Sequence, residues 1–142
     1  MIMINRAEVE AAIHHYWEAF AAKAREEMRG LYAENASIFG STSKRLEPAR
    51  LTWVRRDREY MSSPARMKVG VSNIEVESVG SDAALAAYNM SFEARHKNII
   101  SGAIGQTGYE QLTNARVTQL FVRHSDGSLK IMHEHISAPL DS

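Results

Sequence analysis

The chain has 142 residues, 44% of them hydrophobic and 24% charged, which fits one globular domain with a real core and excludes a disordered chain. Seventeen Lys and Arg balance seventeen Asp and Glu, so the overall basic footprint of a nucleic-acid binder is absent. With no cysteine, disulfide scaffolds, thiolate metal sites and cysteine nucleophiles are excluded together.

The opening Met1-Ile2-Met3-Ile4-Asn5-Arg6 is too short an apolar run for a signal peptide, and no stretch approaches a membrane span. A cytoplasmic location is expected. Asn5 and Glu8 have capping-box spacing, and Val9, Ile13, Tyr16, Trp17 and Phe20 then recur with helical period. Ala24, Met28, Leu31 and Tyr32 extend the stripe into a second helix after a break near 22–25. Residues 37–41 suggest a short strand. Pro48 can open a third helix that runs to Met61, stopped by Ser62-Ser63-Pro64.

The second half reads as strands. Val69–Val79 is β-rich and closed by Gly80-Ser81-Asp82. Over 83–95 the side chains alternate, with Ala84, Ala86, Tyr88, Met90 and Phe92 on one face. Residues 97–114, with Gly102, Gly105 and Gly108, read as a flexible loop and candidate pocket lid. Arg116–Arg123 and Leu129–Ser137 are strands joined at Asp126-Gly127. Helices followed by an antiparallel sheet make an α+β fold.

Three stretches in this order resemble the nuclear-transport-factor-2-like superfamily, in its SnoaL-like and ketosteroid-isomerase-like branch. Ala19-Phe20-Ala21-Ala22-Lys23 followed by Leu31–Ala36 looks like the first helix pair. Gly80–Tyr88 looks like the turn into a central strand, and Arg123–Ser137 like the closing hairpin. The resemblance implies one domain over 1–142, a cone-shaped curved antiparallel sheet wrapped around three N-terminal helices, and one deep apolar pocket. It also implies a homodimer through the outer sheet face, with His133 and His135 as candidates to hydrogen-bond across the interface. No cofactor is expected.

On the last strand the inward set is read as Met132, Glu134 and Ile136. A carboxylate in an apolar pocket is a candidate general acid or base, and Glu134 is the first catalytic candidate. Its alternative is a structural ion pair with an arginine such as Arg116. By its register in the resemblance, Tyr16 is the second, as donor to a developing oxyanion. The substrate-binding candidates are Tyr32, Tyr88, Met90, Phe92, Thr118, Met132 and Ile136. The isomerases' catalytic aspartate falls on Gly40 and their second acid near Thr118 or Gln119, so their usual constellation is incomplete. The arginines of kinase hub domains fall on Met90, Leu120 and Ile136.

His133-Glu134-His135 is not a metal triplet, because the glutamate faces away from both histidines. The Arg-rich segment 44–58 reads as a solvated helix rather than a nucleic-acid surface, with one or two arginines able to reach the pocket mouth and favour an anionic ligand. The expected partner is an apolar, oxygenated small molecule, turned over by an isomerase, cyclase or dehydratase through acid/base chemistry. The alternative is a non-catalytic binding or hub-like assembly module. Neither nucleic acid nor a membrane is expected as a partner.

Overall fold

The computed structural model describes residues 3–40, 43–62, 66–95 and 109–139. Helix α1, Arg6–Ala21, starts where Asn5 accepts a hydrogen bond from the Glu8 amide at 2.8 Å. The Glu8 carboxylate reaches back to the Asn5 backbone amide, which completes the capping box. It accepts two hydrogen bonds from Arg123, at 2.8 and 2.9 Å, and so ties the helix start to the far end of the sheet. Val9, Ile13, Tyr16, Trp17, Ala19 and Phe20 form the buried stripe. Lys23, in the left-handed region at φ 59°, makes the break before α2, Arg25–Gly30.

Tyr32 belongs to a strand rather than to the second helix, because β1, Tyr32–Phe39, starts immediately after α2 and pairs with the last strand. The two-residue strand β2, Glu47–Pro48, pairs with β1. Pro48 then caps α3, Ala49–Arg56, which continues through one π-helical turn, Asp57–Met61. The remaining strands are β3, Arg66–Val79; β4, Ala83–Arg95; β5, Tyr109–Arg123; and β6, Leu129–Ser137. Residues 109–114 are therefore strand, where a loop is expected from sequence. The glycine-rich remainder, 97–108, lies outside the described residues.

The strand order is β2-β1-β6-β5-β4-β3 in one six-stranded, unclosed sheet. All pairs are antiparallel except β1 with β6, which is parallel. That parallel contact follows from topology, since α3 with its π-helical turn and four strands separate the pair in sequence. Register shifts on β3–β4, β4–β5 and β5–β6 bend the sheet, as extra residues in one strand do. Its concave face takes the apolar set of each strand: Ala84, Ala86, Tyr88, Met90, Phe92 and Ala94 from β4, and Ala115, Val117 and Phe121 from β5. At the β5–β6 turn Gly127, at φ 88°, closes a hydrogen bond to His124 at 2.9 Å. Among the described residues no helix is long and apolar enough to cross a membrane.

Candidate functional site

Three elements converge on one buried carboxylate. Glu134 on β6 faces the interior and is fully buried, as the sequence parity predicts. A bulge sets the rest of that strand. Leu120 pairs with His133 and Phe121 with Ile131, which leaves Met132 as the extra residue. Ile131, 1% exposed, therefore shares the buried face in place of Met132. On β5 the parity also differs from the expectation for Thr118. Thr118 pairs with outward-facing His135, and the buried neighbour Gln119 points inward.

Glu134 accepts three hydrogen bonds. The Tyr32 hydroxyl donates to Oε1 at 2.9 Å, the Gln119 amide to Oε1 at 2.7 Å, and Arg56 Nη1 to Oε2 at 3.0 Å. Arg56, not Arg116, is thus the ion-pair partner, at the C-terminal end of α3. Two chains of donors run into this carboxylate. Trp17 Nε1 donates to the Tyr88 hydroxyl at 2.8 Å, and Tyr88 donates to Gln119 Oε1 at 2.7 Å. Arg56 Nη1 also donates to the Tyr16 hydroxyl at 3.3 Å, and the Tyr16 and Tyr32 hydroxyls are 2.6 Å apart. Because Tyr32 gives its proton to Glu134, Tyr16 gives its own to Tyr32.

The direction of each chain is forced at its source. Indole and guanidinium are donors only, so every hydroxyl and amide downstream passes a proton toward the carboxylate. Rotating the Gln119 amide would set its oxygen against Glu134 and its NH2 against a Tyr88 hydroxyl already accepting from Trp17. Burial holds the phenols of Tyr16, Tyr32 and Tyr88 well above the ordinary tyrosine range, and the Glu134 charge adds to this. For Arg56, burial is the largest single influence and works against the cation, but Glu134, Tyr16 and Tyr32 together outweigh it and raise its pKa above the usual arginine value. The Arg56 guanidinium also lies 5.2 Å over the Trp53 ring.

A cavity of about 330 Å³ opens beside this network. Tyr16 and Arg56 form its polar end, and Trp17, Phe20, Tyr60, Met90, Phe92, Leu112 and Ile136 its walls, with Gln111 and Ala138 also lining it. Phe20, Tyr60 and Phe92 pack edge-on or tilted, with centroids 5.4–5.9 Å apart. Of the sequence candidates, Tyr16, Met90, Phe92 and Ile136 line the cavity. Glu134, Tyr32 and Tyr88 stand behind it, and Thr118 and Met132 lie off it. A larger hollow of about 440 Å³ lies across Tyr32 and Trp53, rimmed by Arg29, Glu34 and Arg50. Of the buried network it touches only Tyr32, whereas the smaller cavity carries both Tyr16 and Arg56, so the smaller cavity is the better site.

The sequence expects one or two arginines of 44–58 at the pocket mouth without saying which, and gives Gln119 no role; Arg56 is the one that lines the cavity. The signals were present. Arg56 falls three and four residues after the buried Trp53 and Thr52, on the same helix face. Gln119 alternates with Ala115, Val117 and Phe121. Among the described residues no group of His, Cys, Asp and Glu is placed to hold a metal ion.

The chain is similar in structure to a protein from Novosphingobium aromaticivorans provisionally named a scytalone dehydratase, with TM-score 0.77, 13% identity, and coverage of 94% of this chain and 83% of that one. It is similar to a protein from Streptomyces avermitilis provisionally named a dehydratase of the NTF2-like family, with TM-score 0.76, 15% identity, and coverage of 95% and 96%. It is also similar to a protein from Xanthomonas campestris provisionally named a calcium/calmodulin-dependent protein kinase II association domain, with TM-score 0.72, 21% identity, and coverage of 98% and 91%. At these identities the likeness shows a shared nuclear-transport-factor-2-like fold. No curated protein matches the sequence. The sequence profile of the SnoaL-like domain matches residues 9–141, and the chain belongs to that family.

Proposed function

We propose that the chain binds an apolar small molecule in the cavity and presents the Arg56 guanidinium, at the polar end, to an oxygen of that ligand. The observation that supports this is the Arg56–Glu134 pair at 3.0 Å, which places a fixed donor at the end of an aromatic chamber. An arginine held in place by its carboxylate stabilises negative charge that develops on a bound oxygen. That need is shared by isomerases, cyclases and dehydratases acting on carbonyl compounds. Structural neighbours provisionally named dehydratases point the same way. In this reading Glu134 anchors Arg56 and does not itself move a proton, since all three of its hydrogen bonds are made behind the cavity wall.

Native mass spectrometry after incubation with bicyclic aryl ketones tests the reading. Wild-type protein retains the ketone and Arg56→Met does not. Equal retention by both overturns it. Exchange of the hydrogens next to the ketone carbonyl in deuterated water then separates an enzyme from a binding protein, because only an enolate-stabilising site accelerates that exchange.

We also propose that two copies associate through the outer sheet face around His133 and His135. Exposed Phe39 and Leu85 on that face support this.

A further inference from the structure

The polar end of the cavity is electrically balanced before any ligand enters. Arg56 is the one charged side chain lining it among the described residues, and its carboxylate partner is sealed behind it. Glu134 cannot swing away to free the arginine, because Tyr32 and Gln119 hold Oε1 while Arg56 holds Oε2. The neighbouring arginines have their own acids: Arg55 is bound to Glu47, and Arg25 to Asp57. A ligand carboxylate set against Arg56 would therefore make a buried cluster of two anions and one cation. A buried charge without its own partner is expensive. An uncharged carbonyl oxygen accepts from Arg56 without that penalty.

We propose that Glu134 sets the charge selectivity of this pocket. By holding the counter-ion position of Arg56, it tunes the site to apolar ligands with a neutral oxygen acceptor and against the carboxylate of the same skeleton. This rests on the reading of the cavity as a small-molecule site. Glu134 is in this sense a specificity-determining residue that acts through Arg56.

The probes are 2-acetylnaphthalene and 2-naphthoate, which share a bicyclic skeleton and differ in a neutral carbonyl against a carboxylate. Equilibrium dialysis at neutral pH gives both affinities. In wild-type protein the ketone binds more tightly, by about tenfold or more. In Glu134→Gln, where Arg56 keeps its charge and loses its partner, the order reverses. A variant that is only structurally damaged weakens both probes together and leaves the order unchanged, which overturns the inference. The double variant Arg56→Met/Glu134→Gln removes both charges and binds both probes weakly, with no preference for naphthoate, whether or not the single variant folds. A preference for naphthoate in that double variant counts against the inference. Tighter naphthoate binding by wild type overturns it while leaving the small-molecule reading intact. Failure of wild type to bind either probe overturns that reading, and this inference with it.

Discussion

Arg56 Nη1 lies 3.0 Å from Glu134 Oε2, and the two side chains are 14% and 0% exposed. A pair so buried stabilises little relative to apolar residues of the same shape, yet breaking it is costly because the survivor is left charged in a dry interior. Glu134→Gln is thus expected to destabilise the fold by about 3–5 kcal/mol. Arg56→Met/Glu134→Gln, which leaves no orphan charge, loses less. Urea unfolding of the two variants and of Arg56→Met checks this. A double-variant loss equal to the sum of the Glu134→Gln and Arg56→Met losses would mean that the residues contribute independently.

The relay through Gln119 makes a separate prediction. Gln119→Leu keeps the volume but removes an acceptor from Tyr88 and a donor to Glu134. Each polar group left unsatisfied in a buried site costs about 1–3 kcal/mol, so this substitution is disruptive although neither position touches the cavity. Gln119→Glu is worse, since it faces a second carboxylate across a contact now at 2.7 Å. Thermal unfolding of both variants gives the ranking. Leu behaving like wild type would remove Gln119 from the network.

The acid and alkaline limits of stability have different origins. Tyr16, Tyr32 and Tyr88 have folded pKa values raised above the ordinary value of 10.0, chiefly by burial. A group with a raised folded value contributes stability that is complete below its unfolded value and lost as pH climbs past it. Near-ultraviolet absorbance should show these three phenols silent above pH 10 until the chain unfolds. Early ionisation of all the tyrosines in native protein would contradict the burial. At the other end Asp126, hydrogen-bonded to Ser128, has its pKa lowered to about 2 from 3.8. Its contribution is present above 3.8 and lost as pH falls toward 2. Asp126→Asn should flatten that part of the acid limb in urea titrations.

Much of the frame was legible in the residues. The buried stripe of α1, the alternation of β4 and the Asp126-Gly127 turn all follow from local period and turn chemistry. What local period does not carry is a bulge. Met132 and Ile131 are chemically interchangeable as core residues, so nothing in their order shows which one the extra position absorbs. Tyr32 was misplaced because its strand is specified by a partner 99 residues later, Ile131, and not by its neighbours. Glu134 was found by parity. Its arginine is expected only as one of several that could reach the pocket mouth, because an Arg-rich amphipathic segment reads as solvated until packing shows which face is buried.

The outer sheet face supplies the last prediction. His133 shares a 2.9 Å hydrogen bond with Ser37, and the Phe39 ring lies between His133 and His135, with centroids 6.3 and 5.7 Å away. Phe39 is 37% and Leu85 36% exposed, so the face keeps apolar surface in water that a second copy would cover. A twofold interface sets each patch against itself, so one substitution changes both sides at once. Sedimentation velocity should find a dimer for wild type and a shift toward monomer for His135→Glu, which places like charges near the contact. The same variant should retain ligand binding, because His135 points away from the cavity. A wild-type chain that sediments as a monomer at high concentration would sink the interface, and a dimer indifferent to His135→Glu would move it to another surface.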